Sequence, residues 1–132
     1  MKQTLRYKTL WLSIGMSLII TVIALSLMAP PTDIMDALPN DKFGHFIAYF
    51  ALMGWFAQIY HTNKQRWLYL IAFLILGLLL EILQGLGGVR HGDWVDMLAN
   101  SAGVVSAFVL TKTKLAYILL YIENQTCQVL KT

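Results

Sequence analysis

The sequence predicts an all-α integral membrane protein: a four-helix bundle with both termini in the cytoplasm. Three observations predict it. The first is composition. Of 132 residues, 58% are hydrophobic and 13% charged, with a mean hydropathy of +0.62, whereas a soluble domain is about half apolar and about a quarter charged. The second is the division of the chain into four apolar stretches joined by short polar segments, which leaves material for one domain and no separate soluble one. The third is charge placement. Lys2, Arg6 and Lys8 precede the first stretch, Lys64 and Arg66 separate the second from the third, and Lys112, Lys114 and Lys131 follow the fourth. Basic flanks face the cytoplasm. The opposite side takes Lys42 and Arg90 together with Asp33, Asp36, Asp41, Glu81, Asp93 and Asp96, leaving Glu123 as the sole inner acid.

The first helix is expected over residues 10–28. Its apolar core exceeds the ~7–15 residues of a signal h-region, and Leu27, Ala29 and Pro30 make a poor cleavage site, so it reads as uncleaved. Pro30 and Pro31 end it, because proline cannot donate the next helical hydrogen bond. The second helix is expected over 43–60, with Tyr60 and Trp67 bracketing the basic turn as interfacial aromatics. The third, 67–86, approaches the ~20 residues that cross the hydrocarbon core, and Gly85, Gly87 and Gly88 break it. The fourth is expected over 94–110. Residues 114–122 either form a short C-terminal interfacial helix or prolong the fourth, being too short to span alone. Cys127, the single cysteine, excludes an intrachain disulfide. The sequon at Asn124 and Thr126 falls on the cytoplasmic side and reads as chance. No Gly-rich nucleotide loop and no basic stripe suited to nucleic acid occurs.

Polar residues are sparse enough that their convergence is informative. Asp41 and His45 stand four apart, on one face of the second helix, and Tyr49 continues that face. Glu81 and Gln84 stand three apart near the outer end of the third helix, placing Glu81 roughly 7 Å inside its last residue at about 1.5 Å per residue. Asp93, Asp96, Asn100, Gly103 and Ala107, alternately three and four apart, draw one polar and small stripe down the fourth helix. Intramembrane ionisable groups are usually paired or functional, so Glu81 is a functional candidate by default.

Two readings of the cluster coexist. One is structural: Arg90 clasps Asp96 or Glu81, Asn100 hydrogen-bonds across, and Gly103 permits close packing. The other is a pocket toward the outer leaflet, in which Lys42 attracts an anion and Arg90 grips a carboxylate or phosphate with its planar fork. Its ligand-binding candidates are Asp41, Lys42, His45, Glu81, Gln84, Arg90, Asp93, Asp96 and Asn100. Catalytic roles are unassigned, with Glu81, His45 and Asp96 as candidates for acid–base work. The acid and histidine spacing matches no compact signature such as HExxH and no cysteine joins it, so no metal or other cofactor is assigned. Ser101 and Ser106 lie in no nucleophile elbow and read as packing residues, and His61 as a solvated loop residue. Gly77 and Gly85 are candidates for homo-oligomer contacts.

At these residues the chain resembles the VanZ-like membrane family. The segments that carry the likeness are DKFGHFIAYFAL, from Asp41 to Leu52, and EILQGLGGVRHGDWVDMLANSAG, from Glu81 to Gly103. The family pattern falls on Asp41, Lys42, His45, Glu81, Gln84, Arg90, Asp96 and Asn100, and the match runs from Asp41 to about Leu110. The resemblance implies a multi-pass protein of a bacterial inner (cytoplasmic) membrane. The family's name-giving member is associated with low-level resistance to teicoplanin, a lipoglycopeptide, and no agreed reaction comes with the family. The expected function is therefore an envelope protein whose outer-leaflet polar pocket binds an anionic lipid, a cell-wall precursor or a lipoglycopeptide. The alternative is an intramembrane hydrolase or transferase acting on a lipid headgroup. Expected partners are membrane lipids, and no nucleic acid.

Overall fold

Capping side chains mark where the helices begin. In the computed structural model, which describes residues 4–28, 40–88 and 93–130, helix α1 spans Lys8–Leu27. Asn40 accepts the Phe43 backbone N–H at 2.8 Å and starts α2, Asp41–Ile59. Thr62 accepts the Gln65 N–H and starts α3, Asn63–Gly87. Asp93 accepts the Val95 N–H at 2.9 Å and starts α4, Trp94–Leu110. Each side chain satisfies a donor that the first helical turn leaves unpaired. The Thr62 cap explains why α3 begins four residues before the apolar run at Trp67. Gly88 closes α3 at φ 67°, a left-handed conformation that costs glycine nothing. A 3₁₀ turn, Lys114–Tyr117, leads into α5, Ile118–Val129. The axis bends by 81° between α4 and this segment, so residues 114–122 do not prolong α4 but open a separate helix.

Helix α2 is innermost. Tyr49, Leu52, Met53 and Phe56 are each at most 2% exposed and pack with Leu70 and Phe73 of α3 and Val104 and Ala107 of α4. The most extensive contact in the chain is between α2 and α4. Gly103 makes it possible: a β-carbon there would run into the Phe46 carbonyl oxygen and stand 3.0 Å from the Phe50 nitrogen. The two backbones touch because α4 has no side chain at that point. On the other flank of α2, Gly15 of α1 lies against the Trp55 and Phe56 rings. Aromatic rings fill the space between α2 and α3, with Phe56 4.8 Å from Tyr69 and 5.4 Å from Phe73, centroid to centroid.

Hydrogen bonds tie the helix ends into two poles. At one pole Arg66, at the start of α3 and 5% exposed, donates to the carbonyls of Tyr60 at 3.1 Å, Thr111 at 3.0 Å and Ala57 at 3.4 Å. It thereby joins the ends of α2 and α4. Glu123 of α5 accepts the Trp11 indole N–H at 2.6 Å and the backbone N–H groups of Arg6 and Tyr7 at 2.5 and 3.1 Å, fastening the N-terminus to the C-terminal helix. Arg66, read from the sequence as part of a basic flank facing the cytoplasm, is a buried strut, and His61, read as a solvated loop residue, stacks on Tyr117 at 4.9 Å. At the opposite pole the ends of α1 and α3 meet the beginnings of α2 and α4.

The chain is a membrane protein. Helices α1 and α3 are long and apolar enough to cross a bilayer, and a third span follows if α4 and the bent C-terminal segment are counted together. Their outward faces are apolar: Ile20 of α1 and Leu68, Ile71, Leu79 and Leu83 of α3 are about half exposed or more. A soluble chain would bury such a stripe, whereas lipid accepts it.

Candidate functional site

The pole where α2 and α4 begin collects the polar residues that the rest of the chain lacks. Helical spacing puts Asp41 and His45 on the α2 face turned toward α4, and Asp96 and Asn100 on the α4 face turned back. Between them lies the Lys42 ammonium, 2.5 Å from Asp96 Oδ1, 2.9 Å from Asp93 Oδ2 and 3.8 Å from Asp41 Oδ1. His45 is held from both sides, with Nε2 3.5 Å from Asp96 Oδ2 and Nδ1 3.1 Å from Asn100 Oδ1. Glu81 of α3 closes the cluster by accepting the Asp93 backbone N–H.

Exposure grades this network. The side chains of Asp41 and Lys42 are 35% exposed and that of Asp93 39%, whereas Asp96 is 8% and His45 11%. Both signs of charge therefore reach the surface, above a buried carboxylate and imidazole. The Val95 N–H and then the Lys42 ammonium hold the Asp93 carboxyl below its ordinary range. Below His45 the α2 face continues into Tyr49, 1% exposed, whose ring edge and the Asn100 side chain pack together on Gly77. The Tyr49 hydroxyl is buried with no hydrogen-bond partner among the described residues.

Sequence-predicted residues divide into three groups. Asp41, Lys42, His45, Asp93, Asp96 and Asn100 meet in one network, with Glu81 attached through the Asp93 backbone. Gln84 does something else: its amide donates to the Ser26 carbonyl at 2.5 Å, tying the end of α3 to the end of α1. Arg90 lies outside the described residues, and with it any clasp or anion grip there. Gly77 is buried beside Asn100 and Tyr49, while Gly85 is exposed.

The stripe expected on α4 is a face of the structure: Asp96, Asn100, Gly103 and Ala107 are all buried against α2 and α3. A family model described as VanZ/LLP1 matches residues 29–120. The chain belongs to the VanZ-like family. The matched range includes both arms of the polar network and extends past α4 to the start of α5, farther than the sequence motifs alone reach. Among curated proteins and among solved structures, nothing matches the chain.

In this VanZ-like chain the network restricts the chemistry open to it. Donor atoms of Asp41, His45 and Asp96 lie within 4.8 Å of one another, a grouping that a divalent cation accepts. The Lys42 ammonium already neutralises two of the three, and a metal would have to displace it. Nδ1 of His45 is paired with Asn100, and Nε2 stands 3.5 Å from Asp96 Oδ2. Ser101 donates its hydroxyl to the Met97 carbonyl one turn back.

Proposed function

We propose that this VanZ-like protein is a multi-pass protein of the bacterial cytoplasmic membrane, crossing it four times with both termini inside. In this reading its outward polar network binds the headgroup of an envelope amphiphile, namely an anionic lipid, a cell-wall precursor or a lipoglycopeptide of the teicoplanin class. The basic residues around the termini and the acidic ones at the opposite pole support the orientation. At 19 residues α2 is about 28 Å long at about 1.5 Å per residue, enough to span although its polar face lowers its hydropathy.

The observation that carries the binding reading is Lys42, half-exposed between Asp41, Asp93 and Asp96 at the mouth of an otherwise apolar chain. Among the described site residues acids outnumber bases, so Lys42 is not free to hold an anion alone. A headgroup bearing both an amine and an anionic group suits the site better: the amine meets Asp41 and Asp93, and the anionic group takes Lys42, with Arg90 as the second cation of this reading.

The alternative, an intramembrane hydrolase or transferase acting on a lipid headgroup, draws on the Asp96–His45 pair as an oriented base and on Glu81 as an acid. The burial of His45 and the pairing of its Nδ1 with Asn100 weigh against it.

Binding is tested on purified full-length protein with teicoplanin and with phosphatidylglycerol as probes. Asp41→Asn should weaken the amine-bearing probe, and Arg90→Lys should weaken both by about tenfold, as expected when one charge-assisted contact of about 1.4 kcal/mol is lost. Unchanged affinity in both variants sinks the binding reading. The enzyme reading is tested by comparing envelope lipid extracts from cells expressing the wild type or Glu81→Gln at matched levels. A lipid species that appears or vanishes only with wild type supports catalysis, and identical extracts reject it.

A further inference from the structure

A second cavity-bearing region lies at the pole of the termini, away from the polar network. A half-open groove of about 450 Å³ runs between α2, the end of α4 and the C-terminal segment. Gly54 and Ala51 of α2, Ala107 and Leu110 of α4, and Leu115 and Leu119 beyond line it, with Leu18 of α1 at its deep end. The volume falls within the about 300–1,000 Å³ of small-molecule sites.

Its chemistry is that of hydrocarbon. The three polar side chains in the wall are already engaged: Trp55 donates its indole N–H to the Trp11 carbonyl at 2.9 Å, Gln58 donates to the Leu115 carbonyl at 2.6 Å and accepts the Leu119 N–H at 3.2 Å, and Thr111 donates to the Phe108 carbonyl at 2.6 Å. A bound water needs about two to four polar partners, and a wall so largely apolar favours hydrocarbon. Small residues hollow it, and a β-carbon on Gly54 would meet nothing within 4 Å. Basic residues flank the lining. Thr111 and Leu115 line the groove, and Lys112 and Lys114, adjacent to them in sequence, are exposed and form no ion pair among the described residues.

We infer that this groove seats an acyl chain of an anionic phospholipid from the leaflet on the side of the termini, with the phosphate over Lys112 and Lys114. Hydrocarbon fills the apolar wall, and the charge of the headgroup complements the unpaired lysines. The lipid then lies against the strut that fastens the C-terminal segment to α2 through Gln58.

Native mass spectrometry of the full-length protein, offered equal amounts of phosphatidylglycerol and phosphatidylcholine with the same acyl chains, tests this. The wild type should retain phosphatidylglycerol in preference. Gly54→Leu should remove retention while helicity and thermal stability hold, since its side chain fills open space, and Ala51→Leu is a second filling variant. The double variant Lys112→Gln with Lys114→Gln should still retain a lipid but lose the preference by roughly thirtyfold, the equivalent of about 1 kcal/mol per lysine. Wild-type retention in either folded filling variant overturns the site. Equal retention of the two lipids by the wild type overturns the assignment of the headgroup.

Discussion

Lys42 Nζ lies 2.5 Å from Asp96 Oδ1, so a half-exposed cation on the first turn of α2 neutralises a nearly buried carboxylate on the first turn of α4. This pair bridges the two helices that make the most extensive contact in the chain. A buried carboxylate that loses its partner is strongly destabilising, while removing both charges restores much of the loss. Lys42→Met should therefore lower thermal stability more than Asp41→Asn, whose carboxylate stands 3.8 Å from the ammonium. Adding Asp96→Asn to Lys42→Met should recover part of the fall. A double-mutant cycle in detergent measures this, and strictly additive effects would dismiss the pair as a stabilising contact.

Gly103 and Gly54 make opposite predictions from similar substitutions. Alanine at 103 drives a methyl group into the Phe46 carbonyl and should destabilise by about 1–3 kcal/mol or more, as overpacking does. Alanine at 54 meets nothing within 4 Å and should be neutral, or stabilising by up to about 1 kcal/mol through helix propensity. Thermal unfolding of the two variants in the same detergent separates them.

Arg66 satisfies carbonyls at the ends of two helices. Arg66→Met leaves those of Tyr60, Thr111 and Ala57 without their donor and should cost about 1.5–3 kcal/mol for the charged hydrogen bonds lost. Arg66→Lys should recover less than half, because a single ammonium cannot reproduce the fork. Full recovery by lysine in a denaturation series would show that charge, not geometry, matters at this position.

Glu123 predicts a pH dependence. Burial pushes its carboxyl up, but the Trp11 indole and the Arg6 and Tyr7 N–H groups more than offset this and hold it below its ordinary value. A depressed carboxyl contributes stability above its unfolded pKa of about 4.3 and loses it as the pH falls through the lower folded value. Wild type should therefore lose the docking of α5 in acid, below about pH 4, whereas Glu123→Gln should be less stable at neutral pH and flat across that window. Amide exchange of α5 against pH reports it.

How much was legible in advance depended on whether the signal was local. The buried face of α4 could be read because Asp96, Asn100, Gly103 and Ala107 repeat with the helical period in one segment. The burial of Arg66 could not, because its reasons are the carbonyls at the ends of α2 and α4, and a basic residue in a short turn looks the same whether it is solvated or enclosed. The role of Gln84 was hidden likewise: its partner, Ser26, is a backbone carbonyl 58 residues away.

The amino-acid sequence by itself determined that this is a helical membrane protein and that Glu81, Gln84, Asp96 and Asn100 lie inside it. Composition and periodicity act through transfer free energies that each segment feels on its own. Only the tertiary structure decided that Lys42 belongs to Asp93 and Asp96, that Glu123 holds the N-terminus, and that a groove opens beside Gly54. Those outcomes depend on how closely helices approach across more than 50 residues of chain, as at Lys42 and Asp96. Gly103 permits that approach through the side chain it lacks.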